Sequence, residues 1–179
     1  MSNSSREEMV GGAVTLGLLA AWALHDAEEL AAMPGWWRRN LPALRERYPA
    51  VPEAVWRRVG SVEPREFAAA VGVMAVIVTA ASAAGHATGG RSAAYQTALN
   101  AFGLHGLVHL AQAGLARGYT PGSATSPLLV VPFTLWARRR LRRAGVLRTT
   151  RPRDLALGLG LAGAATVVSH TVARRVTGA

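Results

Sequence analysis

The chain has no cysteine and no lysine, only 10 acidic residues against 20 arginines, and aromatic side chains at only 6% of its 179 positions. Without cysteine there is no disulfide framework, thiolate nucleophile or Cys-type zinc site, so any bound metal must be held by nitrogen and oxygen ligands. The formal charge of +10 does not read as a nucleic-acid footprint. The arginines stand in short blocks between apolar runs instead of along an aromatic-studded basic face. No nucleic acid is expected, and membrane lipids, through their anionic headgroups, are the expected partner. Half of the residues are hydrophobic despite that charge, which points to a membrane protein and away from a soluble domain.

A helix crosses a hydrocarbon core about 30 Å thick with roughly 17–25 residues. On that measure the sequence predicts an all-α, polytopic integral membrane helix bundle, one domain over 1–179, with helices over about 9–33, 64–87, 92–116, 121–137 and 154–172. The first is expected to stop at Pro34-Gly35, with Trp36, Trp37, Arg38 and Arg39 as an aromatic and basic interface anchor. Residues 34–63 read as an interfacial segment of short surface helices. The fourth stretch is short and holds Pro127 and Pro132, so a kinked, tilted or re-entrant path is open to it. Arg6, Glu7 and Glu8 supply no basic leader, which argues against a secretory signal. Gly11, Gly12, Gly158, Gly160 and Gly163 favour close helix contacts, and a homo-oligomer is compatible with them.

Charges inside a membrane helix cost at least about 2.5 kcal/mol each, so they pair, face a cavity or bind something. At about 100° per residue, Glu29 falls roughly 40° from His25 and Glu28 roughly 60° to its other side, so the three share a helix face while Asp26 points elsewhere. The bland alternative is that these charges mark the end of the span. His105 and His109, four residues apart, share a face of the third helix, with Gln112 near the same line. Two imidazoles at that spacing suit a transition metal, although such a pair alone is a weak signal. Gln96 and Asn100 project to the opposite side, as hydrogen-bonding links between helices. With alternating spans, His25, His105 and His170 fall within about 5 Å of one depth, and His86 emerges on the far surface. The arginine distribution decides nothing about orientation if all five segments cross, and a re-entrant fourth segment would restore a charge bias. The histidine depths favour five spans.

The strings HDAEE at 25–29, NAFGLHGLVH at 100–109 and YTPG at 119–122 resemble the HXXEE-domain family, small membrane proteins of bacteria and archaea. The resemblance implies a multi-pass protein of the bacterial cytoplasmic membrane. It implies that His25, Glu28, Glu29, Asn100, the helix-three histidines and the Thr-Pro-Gly turn are signature positions, and it carries no activity. Thr120 is expected to cap the fourth helix and Pro121 to begin it.

The leading reading is a metal site of His25, Glu28, Glu29, His105 and His109, with His170 as a further ligand, in an enzyme acting on a hydrophobic small-molecule substrate. His25, Glu28 and Glu29 are the catalytic candidates. Zinc there would activate water for hydrolysis, and iron would imply oxidation. A metal-free isomerase or cyclase of isoprenoid or polyene substrates, with Glu28 or Glu29 as acid, is the second reading. A non-enzymatic transporter, a metal-handling subunit and an assembly protein are the others.

Overall fold

The computed structural model describes residues 10–149 and 152–177. The helix start expected at Met9, the Arg6-Glu7-Glu8 stretch and the surroundings of Gly158 lie outside the described residues. Every element among those described is helical: α1 (Gly12–Thr15), α2 (Gly17–Arg47), α3 (Glu53–Gly60), α4 (Pro64–Ala87), α5 (Ala93–Ala116), a π-helical turn (Ser126–Val130), α6 (Val131–Arg143) and α7 (Pro152–Thr177).

The first helix does not stop at Pro34-Gly35. α2 continues through both Pro34 and Pro42 to Arg47, a rod of about 46 Å at 1.5 Å per residue. Proline removes one backbone donor and strains the preceding turn, but the helix beyond Pro34 carries one tertiary and one local side-chain bond. Trp36 is buried and donates Nε1–H to the Tyr119 carbonyl at 2.6 Å, and Asn40 donates to the Trp36 carbonyl at 2.8 Å. The segment read as interfacial is therefore the second half of α2 plus the short α3, tied by an Arg45–Glu53 pair at 2.9 Å. Beyond α2, the Tyr48 hydroxyl donates to the Leu115 carbonyl (2.8 Å) and Arg47 to that of Ala116 (2.9 Å), so α2 and α5 end on the same side.

α4 and α5 match the sequence reading closely. Pro64 opens α4 at a position where a missing N–H is harmless. Ser92 caps α5 by accepting from Tyr95 N, and Arg117 ends it in the left-handed region at φ 56°. Gly85 admits the Tyr95 ring, since a Cβ there would meet it at 2.5 Å. Tyr95 is fully buried and donates its hydroxyl to the Val14 carbonyl at 2.6 Å. Around it lie Leu18, Leu99, Phe102, Val130, Ala137 and Leu141.

The fourth segment neither ends at Ala137 nor doubles back. It begins late, as a π-helical turn containing Pro127, and runs on to Arg143. Pro132 has no N–H to give the carbonyl four residues earlier, which fits the wider turn that precedes it. The segment lies along the length of α5 in the opposite direction. Val130 sits over Gly106, Thr134 over Gly103, and Leu141 over Gly90 at the α4–α5 turn. Cβ atoms at Gly103, Gly106 and Gly90 would all stand 2.7 Å from those side chains. Of the glycines expected to mediate close helix contacts, a Cβ added at Gly11, Gly160 or Gly163 would meet nothing within 4 Å among the described residues, and one at Gly12 only His86 and Leu16. Gln96 does link elements, donating to the Gly90 and Val146 carbonyls and accepting from Arg148 N, and Asn100 accepts from Arg138.

One helix among the described residues, Pro64–Ala87, is long and apolar enough to cross a membrane. Length and composition of the described residues therefore do not confirm the expected five spans. α2 carries His25, Asp26, Glu28 and Glu29 within its apolar part, α5 carries Gln96, Asn100 and two histidines, and α6 ends in five arginines over six residues.

Candidate metal centre

Leu18, Ala21, His25, Glu29 and Trp36 follow one another at three-, four- and seven-residue steps and form the buried stripe of α2. Phe102, Gly106 and His109 do the same on α5. Where the stripes meet, His25 stands edge-on to Phe102, His105 and His109, with ring centroids at 5.8, 5.2 and 5.0 Å. The His109 Nε2 lies 3.0 Å from Glu29 Oε1 and 2.9 Å from His105 Nε2. One ligand atom from each of His25, Glu29, His105 and His109 lies within 4.8 Å of the other three. His25, Glu29 and His109 are buried, and His105 is exposed on one side.

The donor chemistry fits a divalent cation. One Nε2 hydrogen on His109 cannot serve both Glu29 and His105, and His25 Nε2 is buried with no hydrogen-bond partner. Tetrahedral coordination at the usual zinc–nitrogen distance needs ligand atoms roughly 3.3 Å apart, a value inside the observed spread of 2.9 to 4.8 Å. This His/Glu group could hold a metal ion, with three imidazoles and a carboxylate as ligands.

Two residues expected as ligands stand outside this group. Glu28 faces the loop before α6, where its carboxylate accepts from the Tyr119 hydroxyl (2.8 Å), Ala124 N (3.3 Å), Thr125 N (2.8 Å) and the Thr125 hydroxyl (2.6 Å). Burial, and then the bond to Glu28, push the Tyr119 hydroxyl up to about 12 from its ordinary 10, so it remains a donor throughout the neutral range. His170, although at the same end of the bundle, reaches a different carboxylate. Its Nδ1 lies 3.0 Å from Oε1 of the buried Glu66, which also accepts from Arg174 Nε at 2.9 Å. His86 is near Thr15 at the opposite end. Asp26, expected to point away from the other three, is also buried, at 7% exposure.

Thr120 does not cap a helix. Residues 120–123 form a tight turn closed by Ser123 N–H to the Thr120 carbonyl (2.9 Å), with Pro121 second and Gly122 third at φ +82°, the pattern of a type II turn. The His109 ring lies over Gly122, where a Cβ would come within 2.7 Å of Cε1. Sequence reasoning missed Thr125, whose hydroxyl also lies 2.7 Å from His25 Nδ1. It missed the role of Tyr119 too, although that residue opens the YTPG string. Nothing local marks Thr125, because its partners are about a hundred residues away.

A family model described as "Protein of unknown function with HXXEE motif" matches residues 16–137. That span holds all four members of the His/Glu group and the turn above them, and it ends before α7. No curated protein matches the chain, and no solved structure does.

Proposed function

The chain belongs to the HXXEE family, and we propose that it is a multi-pass membrane protein in which His25, Glu29, His105 and His109 bind one divalent metal that acts on a lipid-soluble substrate. The observation that carries this reading is the meeting of one donor atom from each of four residues within 4.8 Å; beside it, His25 Nε2 is buried without a hydrogen-bond partner among the described residues. Bound zinc would activate water for hydrolysis, and bound iron would support oxidation. Glu29 is the residue to neutralise the metal. The imidazoles orient it, and the surrounding bundle excludes bulk water.

Support for the membrane setting comes from the inverted distribution of polarity. Glu29, Glu66, Gln96 and His109 are buried, whereas Val76, Leu107, Leu115, Leu128, Leu135 and Val167 are each more than half exposed. An apolar exterior around an ionisable interior is the arrangement a bilayer favours. His105 lies on the open face of α5 in line with Val108 and Leu115, both exposed, so a substrate entering from the acyl chains would reach the metal from that flank. Glu28, saturated by four donors, is a poor proton donor to a polyene, and this weighs against the metal-free reading.

The test is metal titration of detergent-purified, chelator-treated protein with zinc, iron(II) and cobalt(II). One equivalent should bind, and Glu29→Ala or His109→Ala should abolish it. A wild-type protein that binds none of the three, and that Glu29→Gln stabilises, would overturn the reading, since the buried carboxylate would then be an uncompensated burden.

A further inference from the structure

The two glutamates of the motif, though adjacent, meet different partners, and the chain of bonds that starts at Glu28 leads back to the metal group. The Glu28 carboxylate receives four donors: Tyr119 O–H, Ala124 N–H, Thr125 N–H and Thr125 O–H. A protonated acid would spend one oxygen as a donor and conflict with that set, so Glu28 is the carboxylate and acts only as an acceptor. The Thr125 hydroxyl has a single hydrogen. At 2.6 Å it goes to Glu28 Oε2, and the Gly122 carbonyl at 3.4 Å is too distant to compete. The hydroxyl oxygen is then free only to accept, and the group 2.7 Å away is His25 Nδ1. The hydrogen of that bond must sit on His25. A neutral imidazole with hydrogen on Nδ1 has its lone pair on Nε2, and Nε2 is the buried His25 atom left without a partner.

We infer that Glu28 and Thr125 form a relay that holds His25 in the Nδ1–H tautomer, presenting the Nε2 lone pair to Glu29, His105 and His109. Glu28 and Thr125 are thus positioning residues, and only Glu29 of the two motif glutamates is a ligand. The inference rests on the proposed metal site for its effect on affinity, while the tautomer itself is a property of the metal-free fold. Carboxylate-bearing supports of this kind typically change metal affinity by about 10–100-fold when removed.

The experiment has two arms. In metal-free protein carrying nitrogen-15 histidine, in detergent, the His25 ring should show a protonated Nδ1 and a bare Nε2. Thr125→Val, which keeps the shape and removes the hydroxyl, should lose that preference, and Thr125→Ser should restore it. In the second arm, cobalt(II) titration should show affinity lowered by about 10–100-fold in Thr125→Val and restored in Thr125→Ser. A wild-type His25 protonated at Nε2, or a Thr125→Val protein with wild-type tautomer and affinity, would overturn the relay. If Thr125→Val does not fold, the wild-type tautomer and its retention in Thr125→Ser decide the matter. A wild-type protein that binds no cobalt yet shows the expected tautomer would sink the metal reading and leave the relay standing.

Discussion

Replacing Gly122 by alanine perturbs the site from outside its ligand set. At φ +82° an L-residue costs about 1–2 kcal/mol relative to its ordinary backbone region, which is roughly a 5–30-fold change in a folding equilibrium. The added Cβ would also stand 2.7 Å from Cε1 and 2.8 Å from Nδ1 of His109. Ordinary contact begins at 3.4 Å, so the ring or the turn must retreat by about 0.7 Å (3.4 less 2.7). Because His109 Nε2 is 3.0 Å from Glu29 and 2.9 Å from His105, that retreat moves one ligand against two others. Gly122→Ala should therefore lower thermal stability in detergent and weaken cobalt(II) binding about 10-fold or more. Gly118→Ala is the control, because nothing lies within 4 Å of its Cβ position and its φ is not positive; it should change neither. A Gly122→Ala protein with wild-type melting and wild-type affinity would refute the packing of the turn on His109.

His86→Ala should keep the full metal content, since His86 touches Thr15 at the opposite end of the bundle; loss equal to that of His109→Ala would disprove the separation. Single cysteines at Ala50 and Thr149, both exposed, should react with impermeant reagents from opposite faces of the membrane, and labelling from one face would mean that the fourth segment does not cross. Glu66→Leu should loosen α7, because His170 and Arg174 both reach that carboxylate, and a cysteine at the buried Ser169 should then label faster than in the parent. Unchanged labelling would show that the apolar contacts of α7 suffice. A group whose folded pKa is raised gives stability that is complete below its ordinary value and lost above the raised one. The Tyr119 contribution should accordingly be full below pH about 10 and gone above about 12. Tyr119→Phe should lack that step in an alkaline unfolding series.

The parts of the fold legible in the sequence are those decided locally. α4 opens at Pro64 and α5 follows Ser92, matching the expected starts at 64 and 92, and Gly89 and Gly90, at φ 57° and 86°, make the turn between them, because a missing donor, a capping hydroxyl and a positive φ act within one turn. The four-residue spacing of His25 with Glu29 and of His105 with His109 likewise brought the four residues of the His/Glu group together. The continuation of α2 past Pro34 was not legible, because the bond from Trp36 to the Tyr119 carbonyl joins residues 83 apart. For the same reason Glu28 read as a ligand. Its helical position is nearly as good as that of Glu29, and only the loop that returns over it claims the carboxylate. His170 was placed at the right end of the bundle, but depth says nothing about lateral position, and Glu66 was never weighed as its partner.

The bonds from Glu28 and His25 to Thr125 join positions 97 and 100 residues apart, and this sets an order of assembly. On the proposed membrane topology, α2 enters the bilayer with a histidine, an aspartate and two glutamates whose partners have not yet been synthesised. At about 5–20 residues per second, roughly 5–20 s of translation separate the motif from the loop that satisfies it. During that interval the exposed carboxylates must be sheltered by water at the membrane surface or by the insertion machinery. The His/Glu group can come together only once α5, which carries His105 and His109, has arrived. On that topology, a ribosome stalled before Thr125 would leave His25 and Glu28 without the hydroxyl that joins them, so the proposed metal would be held at full affinity only late in biogenesis.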